Sequence, residues 1–284
     1  MRKIIHISDP HIGYRDFKDR FMTIVDTLAT EIRIQVSRYV VVITGDLVHN
    51  ANKKGSYEDA REGLDYLKQR GFKDVLVIPG NHDYGTGNKG NKKFVTLFKK
   101  AFYGTEKIEY PKVDIISNIA FIGLDSMAWE LKWYNDLWAQ GQLGRKQLHA
   151  LKMVLNQDKI KACAKRVIYL HHHPFKWRPL HQLKDARKLK KVLMRAMDGG
   201  VSIDAILFGH NHEGDEHNGT WGIPRCYDAG TATLKPRSRY VKWASWFKVR
   251  SSIRIIDLNK VPEGDSLLQY RHQEKELEKE LEKV

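Results

Sequence analysis

Five short apolar runs in the sequence each end in a group of glycine, aspartate, asparagine and histidine residues. The runs have the length and β-branched content of buried strands, and helical periodicity separates several of them, as between residues 17 and 32. This order favours a layered α/β fold with largely parallel inner strands, in which sites form beyond the carboxyl ends of strands. The runs and the polar groups that follow them are 3–8 with Asp9-Pro10-His11, 39–44 with Gly45-Asp46, 75–78 with Gly80-Asn81-His82-Asp83, 167–170 with His171-His172-His173-Pro174, and 205–208 with Gly209-His210-Asn211-His212.

Aspartate, asparagine and histidine at these strand ends have the composition of a metal site. In extended backbone, residues two apart point to the same side, so we expect Asp9 to pair with His11 and His210 to pair with His212. Oxygen and imidazole ligands together suit divalent ions of intermediate hardness, with Mn²⁺ expected first and Fe or Zn²⁺ as alternatives. About seven candidate ligands are too many for one tetrahedral zinc. We therefore expect two adjacent ions with one carboxylate between them.

The ordered motifs DPH, GDLV, GNHD, HHHP and GHNH resemble those of the calcineurin-like metallophosphoesterases. The match in order and spacing extends from about residue 4 to residue 212. The resemblance implies a four-layer α/β/β/α sandwich with a dinuclear metal centre. It assigns the second ion the histidine two before the proline, which is His172 here, with His171 or His173 as the alternatives if the register differs by one residue. The implied ligands are Asp9, His11 and His212 for the first ion, Asp46 as the bridge, and Asn81, His172 and His210 for the second ion.

The same resemblance implies a mechanism. Two cations ~3.5–4 Å apart lower the pKa of a bridging water and hold the phosphoryl oxygens for in-line attack. Asn81 and His82 are expected to contact the phosphate, and a protonated His82 would act as general acid towards the leaving oxygen. Asp83 would orient the ring of His82. The remaining histidines outside the motifs, including His6 and His49, are expected to be structural or exposed.

One domain, residues 1–260, is expected to contain the motifs, with an aromatic insertion at about 127–143 and an exposed helical tail at 261–284. Late strands at about 222–233 and 240–258 show alternation typical of antiparallel pairing. The sequence has no signal-peptide pattern and no apolar run near the ~20 residues of a membrane span. Two distant cysteines, Cys163 and Cys226, are expected to be buried thiols. These features predict a cytoplasmic protein, with peripheral membrane attachment as an alternative.

The net charge of +15 favours an anionic partner, whether a phosphorylated small molecule, nucleic acid or an acidic membrane surface. Two stretches, 128–143 and 237–250, combine tryptophan with basic residues. Such surfaces stack on bases or contact lipid head groups, and rings at this spacing also pack in cores. The candidate substrate contacts beyond the motifs are Trp129, Trp133 and Arg178.

The sequence therefore predicts a phosphoesterase that cleaves a phosphodiester or pyrophosphate bond in an anionic nucleotide or nucleotide-linked lipid. A DNA or RNA nuclease and a cyclic nucleotide phosphodiesterase are the alternatives within the same chemistry. A non-catalytic binding scaffold with the same fold is the alternative of another class. A scaffold would be expected to have lost ligand positions, and here all of them are filled.

Overall fold

The computed structural model describes residues 2–87, 89–128, 131, 140–175, 182–233 and 252–269, and ten strands and six α-helices lie within them. The strands are β1 (Lys3–Ile7), β2 (Tyr39–Ile43), β3 (Asp74–Val77), β4 (Lys112–Ile116), β5 (Ile119–Gly123), β6 (Lys165–Tyr169), β7 (Ala205–Phe208), β8 (Arg225–Asp228), β9 (Ser252–Ile256) and β10 (Ser266–Gln269). The helices are α1 (Phe17–Ile32), α2 (Ser56–Gln69), α3 (Lys92–Tyr103), α4 (Gly144–Leu155), α5 (Asp158–Lys161) and α6 (Ala186–Asp198). Strands and helices alternate along most of this order, as the sequence predicts.

The strands form two five-stranded sheets, and each sheet has a parallel centre. The first has the order β10-β9-β1-β2-β3, in which β1, β2 and β3 run parallel and β9 is antiparallel to β1. The second has the order β4-β5-β6-β7-β8, in which β5 to β8 run parallel. The carboxyl ends of the parallel strands therefore meet at one edge of each sheet.

Alternating side chains of the first sheet divide the core into two clusters. Ile4 and Val42 pack with residues of the second sheet and its helices. Ile5 and Val41, which point the opposite way, pack with α1, α2 and α3. Strands buried on both faces explain why their sequences are continuously apolar. The two sheets thus lie face to face with helices outside them, and the predicted α/β/β/α sandwich is confirmed.

Several elements differ from the sequence prediction. The strand predicted at 222–233 corresponds to β8, which pairs parallel with β7, so the prediction of antiparallel pairing is wrong there. β9 is antiparallel to β1, as predicted for the 240–258 region. The tail predicted to be helical from residue 261 instead contributes β10, which adds to β9 and ends the first sheet. α3, α5 and β4 have no counterpart in the prediction.

The two cysteines and the helices can also be compared with the sequence predictions. Cys163 and Cys226 are both buried free thiols, as predicted. Among the residues that the structure describes, no helix combines the length and the apolar character needed to cross a membrane.

Candidate metal centre

The predicted ligands come together where the two sheets meet at their strand ends. The loop after β1 is joined to the loop after β2, since the Asp9 N–H donates to the Gly45 carbonyl (3.1 Å). The loop after β7 is joined to the end of β6, since the Gly209 N–H donates to the His171 carbonyl (3.0 Å). A third bond crosses between the sheets, from the His210 N–H to Oδ2 of Asp9 (3.0 Å). These bonds set the side chains of four strand ends around one centre, and the end of β3 joins them through the bond from the His82 N–H to Oδ1 of Asp46 (2.9 Å).

The backbone of five predicted ligands lies in the left-handed region. Their φ angles are 51° for Asp9, 46° for His11, 52° for Asp46, 73° for His210 and 57° for His212. Such values cost residues other than glycine of order 1–3 kcal/mol each and persist only where the surroundings impose them. The extended backbone assumed from the sequence is therefore wrong at these positions. As a consequence, His210 and His212 do not pair but turn into two different groups of side chains.

The first group consists of Asp9, His11 and His212. Oδ1 of Asp9 lies 3.0 Å from Nε2 of His212, and the Nε2 atoms of His11 and His212 are 3.3 Å apart. Oδ2 of Asp46 lies 3.8 Å from Nε2 of His11, at the side of this group. The three side chains are buried or nearly so and could hold one metal ion between them.

The second group contains Asn81, His171 and His210. Oδ1 of Asn81 lies 2.9 Å from Nε2 of His171 and 3.1 Å from Nδ1 of His210. Oδ1 of Asp46 lies 3.5 Å from Nε2 of His171. The two oxygens of Asp46 thus face the two groups, which is the arrangement expected of a carboxylate that bridges two ions.

The structure brings His171 to this centre, whereas the sequence analysis named His172. Nδ1 of His172 instead lies 2.8 Å from the Ser126 hydroxyl oxygen, and the His172 ring packs over Gly141. The side chain of His171 turns towards the first sheet, where its Nδ1–H donates to the Thr44 carbonyl (2.8 Å). Alternation separates His171 from His172 but does not say which one faces the other sheet, because both sides of this strand end are packed. The structure thus places His171, rather than His172, against Asn81 and Asp46, while the ring of His172 lies 4.4 Å from that of His210.

The protonation of His171 shows that the centre suits cations. Its Nδ1 must hold the proton given to Thr44, and burial lowers the pKa of the ring, so at neutral pH its Nε2 presents a lone pair. The amide of Asn81 is fixed by a bond from its Nδ2 to the Gly87 carbonyl (2.6 Å), which turns Oδ1 towards that lone pair. Oδ1 of Asp46 is a third acceptor directed at the same point. Converging acceptors repel one another unless a cation lies among them, so these residues fit a metal ion.

The charges of the first group agree with this interpretation. Burial acts to raise the pKa of Asp9, but the imidazoles of His212, His171 and His11 together outweigh burial and keep the pKa well below its usual range. Burial and the neighbouring rings of His82 and His212 lower the pKa of His11 well below its ordinary value. An ionised carboxylate and a neutral imidazole are the forms that bind metal.

His82 lies beside the first group, with its ring centre 4.7 Å from that of His11. Its Nδ1–H donates to the carbonyl oxygen of His49 (2.5 Å), and burial lowers the pKa of His82 to about 4. The ring is therefore neutral at pH 7, with Nε2 as an acceptor. His49 stacks on the same ring at 5.4 Å, a contact that the sequence analysis did not find. The sequence did indicate that His49 could lie near the site, because it follows Asp46 by three residues in the same loop.

The Asp83 carboxylate, predicted to orient the ring of His82, is directed at backbone N–H groups instead, and the partner of Nδ1 of His82 is the His49 carbonyl. The Asp83 carboxylate accepts backbone N–H bonds from Gly80 (2.8 Å), Val48 (2.9 Å) and Leu47 (3.2 Å). It therefore fixes the backbone that follows Asp46. Burial raises the pKa of Asp83 to about 7, while these backbone bonds act in the opposite direction.

Two glycines allow the close approach of the ligand loops. A Cβ at Gly209 would lie 1.8 Å from the Ser8 hydroxyl oxygen, and one at Gly80 would lie 2.2 Å from Oδ1 of Asp46. No neighbouring atom can yield by that much without moving a predicted ligand. The glycines of the motifs are thus required by packing around the centre.

A hydroxyl pair behind Asp9 supports this carboxylate. The Ser8 hydroxyl donates to Oδ2 of Asp9, and the Thr44 hydroxyl donates to that of Ser8 (2.8 Å). His6 completes the chain, with its Nε2 3.0 Å from the Thr44 hydroxyl oxygen, and is fully buried. His6, predicted to be structural or exposed, is therefore structural.

Ser8→Ala should weaken metal binding roughly 10–100-fold, because the orientation of Asp9 then depends on its remaining partners. Equilibrium dialysis against Mn²⁺ measures the change. Ser252→Ala is the matched control, since its buried hydroxyl donates to the Ala229 carbonyl instead (2.6 Å). Both variants should lose about 1 kcal/mol of unfolding free energy. Equal metal affinities in the two variants would contradict a supporting role for Ser8.

The predicted contacts Trp129, Trp133 and Arg178 lie outside the described residues, as does the 237–250 stretch and the tail beyond 269. Of the predicted site, the described residues therefore include the two donor groups and His82.

A comparison with protein families matches the calcineurin-like phosphoesterase model over residues 2–214. The chain belongs to this family. Two probable cyclic nucleotide phosphodiesterases are similar to it over 217 residues, which is 75% of this chain and 79% of each relative. The protein from Ruthia magnifica is 25% identical and that from Vesicomyosocius okutanii is 29% identical.

Among solved structures, a dimetal phosphatase from Danio rerio superposes with a TM-score of 0.62 at 14% identity. The match covers 95% of this chain and 99% of that one, which confirms the fold. Family membership and the donor groups identify the protein as a metal-dependent phosphoric ester hydrolase that acts on an anionic phosphorylated substrate.

Proposed function

We propose that the protein hydrolyses a phosphodiester or pyrophosphate bond in an anionic nucleotide or nucleotide-linked lipid. The observation that carries the proposal is the pair of donor groups joined by Asp46, whose oxygens lie 3.8 Å from Nε2 of His11 and 3.5 Å from Nε2 of His171. The similarity to two probable cyclic nucleotide phosphodiesterases supports a diester substrate, and a cyclic nucleotide is the second candidate. We further propose a cytoplasmic location.

In this proposal each donor group holds one divalent ion. Mn²⁺ is the proposed metal, because carboxylate, amide and imidazole donors occur together. When bound, two adjacent ions lower the pKa of a water molecule and stabilise negative charge on phosphoryl oxygens. The proposed ligands are Asp9, His11 and His212 for one ion, Asn81, His171 and His210 for the other, and Asp46 for both.

His82 is the proposed contact to the scissile phosphoryl group and the proton donor to the leaving oxygen. Its ring is neutral before substrate binds, since its pKa is lowered to about 4. An anionic phosphoryl group beside Nε2 favours the charged imidazolium and so raises the pKa of the ring. The carbonyl of His49 then holds Nδ1–H and directs Nε2 towards the substrate.

Metal analysis combined with two aryl substrates tests the proposal. Protein reconstituted with Mn²⁺ should contain two ions per chain, and its kcat/KM should be higher for bis-p-nitrophenyl phosphate than for p-nitrophenyl phosphate. Treatment with EDTA should abolish both activities, and added Mn²⁺ should restore them. Protein without metal and without turnover would support the scaffold alternative. A preference for the monoester would contradict the diester assignment while leaving the family assignment intact.

A further inference from the structure

A cavity of about 520 Å³ lies between two connections of the second sheet. One connection leads from β6 to α6 and the other from β7 to β8. Both start at the strand ends that carry His171 and His210. Pro174 lines the cavity and lies three residues after His171, so their Cα atoms are at most about 11 Å apart. One extended substrate molecule can therefore reach both places.

One wall of the cavity is aromatic. Phe175 and Trp221 line it, and their rings meet edge to face with centres 4.7 Å apart. Both side chains are half-buried, so a ligand can reach them. Trp221 has φ 58° and ψ 21°, the same left-handed backbone that the metal-centre residues adopt. For a bulky residue this conformation costs of order 1–3 kcal/mol, and residues held this way cluster at functional sites.

The other wall is cationic. Lys184, Arg187 and Lys190 line the cavity, and all three are exposed. Arg187 and Lys190 are three residues apart on α6 and so share one face of the helix. Neither forms an ion pair with any carboxylate of the part of the chain that the structure describes.

The nearest acid in sequence does not neutralise this wall. Asp185 directs its carboxylate to the backbone at the start of α4, where it accepts the N–H groups of Leu143 (3.0 Å) and Gly144 (2.9 Å). Lys184 reaches towards Gln140, whose Oε1 accepts from its Nζ at 3.0 Å. The positive charge of Arg187 and Lys190 thus remains directed at the cavity mouth.

We infer that this cavity is a subsite for a nucleotide moiety, in which Phe175 and Trp221 contact the base and Arg187 and Lys190 bind a second phosphate. The inference rests on the proposed function, because the scissile phosphoryl group is placed at the metal centre. Aromatic faces with adjacent cations are the surface that binds a base and its phosphates. The arginine can form two parallel bonds to one phosphate. The preferred substrate is then a pyrophosphate-linked nucleotide, which carries one more charge than a simple diester.

A double variant with a matched control tests the subsite. Arg187→Gln/Lys190→Gln removes both free cations, whereas Lys188→Gln/Lys191→Gln removes the same charge from exposed positions of α6 that do not line the cavity. KM is measured with Mn²⁺ for diadenosine 5′,5′-diphosphate and for bis-p-nitrophenyl phosphate. The first variant should raise KM for the dinucleotide about tenfold more than KM for the aryl diester. The second variant should change both KM values alike. The same KM ratio in both variants would overturn the inference while leaving the proposed hydrolysis intact.

A binding measurement separates this result from a failure of the proposed function. Metal-free protein is dialysed against radiolabelled ADP, so no turnover is needed. Weaker ADP binding by the cavity variant than by the helix control supports the subsite even if no ester is hydrolysed. Equal ADP binding by the two variants would overturn it.

Discussion

Replacing His171 with alanine should remove one of the two bound metal ions and lower kcat for bis-p-nitrophenyl phosphate by at least about 100-fold. The Nε2 lone pair of His171 faces Oδ1 of Asn81 at 2.9 Å and Oδ1 of Asp46 at 3.5 Å, so its loss opens the second donor group. Metal content is measured by mass spectrometry of gel-filtered protein, and kcat is measured at saturating Mn²⁺.

His172→Ala is the matched control, because His172 is the adjacent residue and is equally buried. It should retain both ions and lose less than about tenfold in kcat, since its Nδ1 contacts Ser126 and the ring supports Gly141. Both variants create a similar cavity, so a general loss of packing would affect them alike. Loss of one ion from His172→Ala alone would restore the assignment made from the sequence.

A strand pattern predicts where the histidine triplet lies in the fold but not which of its side chains faces the metal centre. The motifs predicted that five strand ends would meet, because parallel strands place their carboxyl ends at one sheet edge. They did not predict which side of the β6 end faces the first sheet, because His171, His172 and His173 are all buried. Where both faces of a strand are covered, polarity no longer distinguishes them. The proposal of His171 depends on a tertiary contact that the strand pattern does not contain, the bond from its Nδ1–H to the Thr44 carbonyl.

The alternation rule fails for His210 and His212, which lie in different groups, although Asp9 and His11 do share one group as predicted. It assumed extended backbone, whereas Asp9 and His212 have φ angles of 51° and 57°. Such conformations are imposed by long-range bonds, such as that from the His210 N–H to Asp9. Local sequence preferences therefore do not predict these left-handed conformations. A functional centre that is strained in this way is where reasoning from local propensity is expected to fail.

The missed elements have more ordinary causes. α3 follows a polar loop rich in glycine, asparagine and lysine, and its amphipathic character was hidden by that neighbouring composition. β8 is four residues long and buried throughout, so its alternation carries no information about pairing direction. β10 lies just before a highly charged segment and gains its place only by pairing with β9. Its strand structure therefore depends on tertiary pairing rather than on local sequence preference.

The general-acid role of His82 predicts that the effect of its removal depends on the leaving group. His82→Gln should lower kcat/KM by about 10²–10⁴-fold for a cyclic nucleotide, whose leaving oxygen becomes an alkoxide that needs a proton. The loss should be much smaller for bis-p-nitrophenyl phosphate, because p-nitrophenolate leaves as a stable anion. The measurement compares kcat/KM for the two substrates under the same metal conditions. Equal losses would mean that His82 contacts the phosphoryl group without transferring a proton.

His49→Gln is the control for this experiment, because it keeps the backbone carbonyl that accepts from Nδ1 of His82 and removes only the stacked ring. The ratio of kcat/KM values for the two substrates should therefore stay close to that of the unchanged protein. A leaving-group-dependent loss in His49→Gln would instead transfer the proton-donor role to His49, whose ring centre lies 5.7 Å from that of His11. The His49 carbonyl fixes the tautomer of His82, whereas the His49 ring only packs against the His82 ring. We therefore expect the leaving-group dependence of kcat/KM to change in the His82 variant alone.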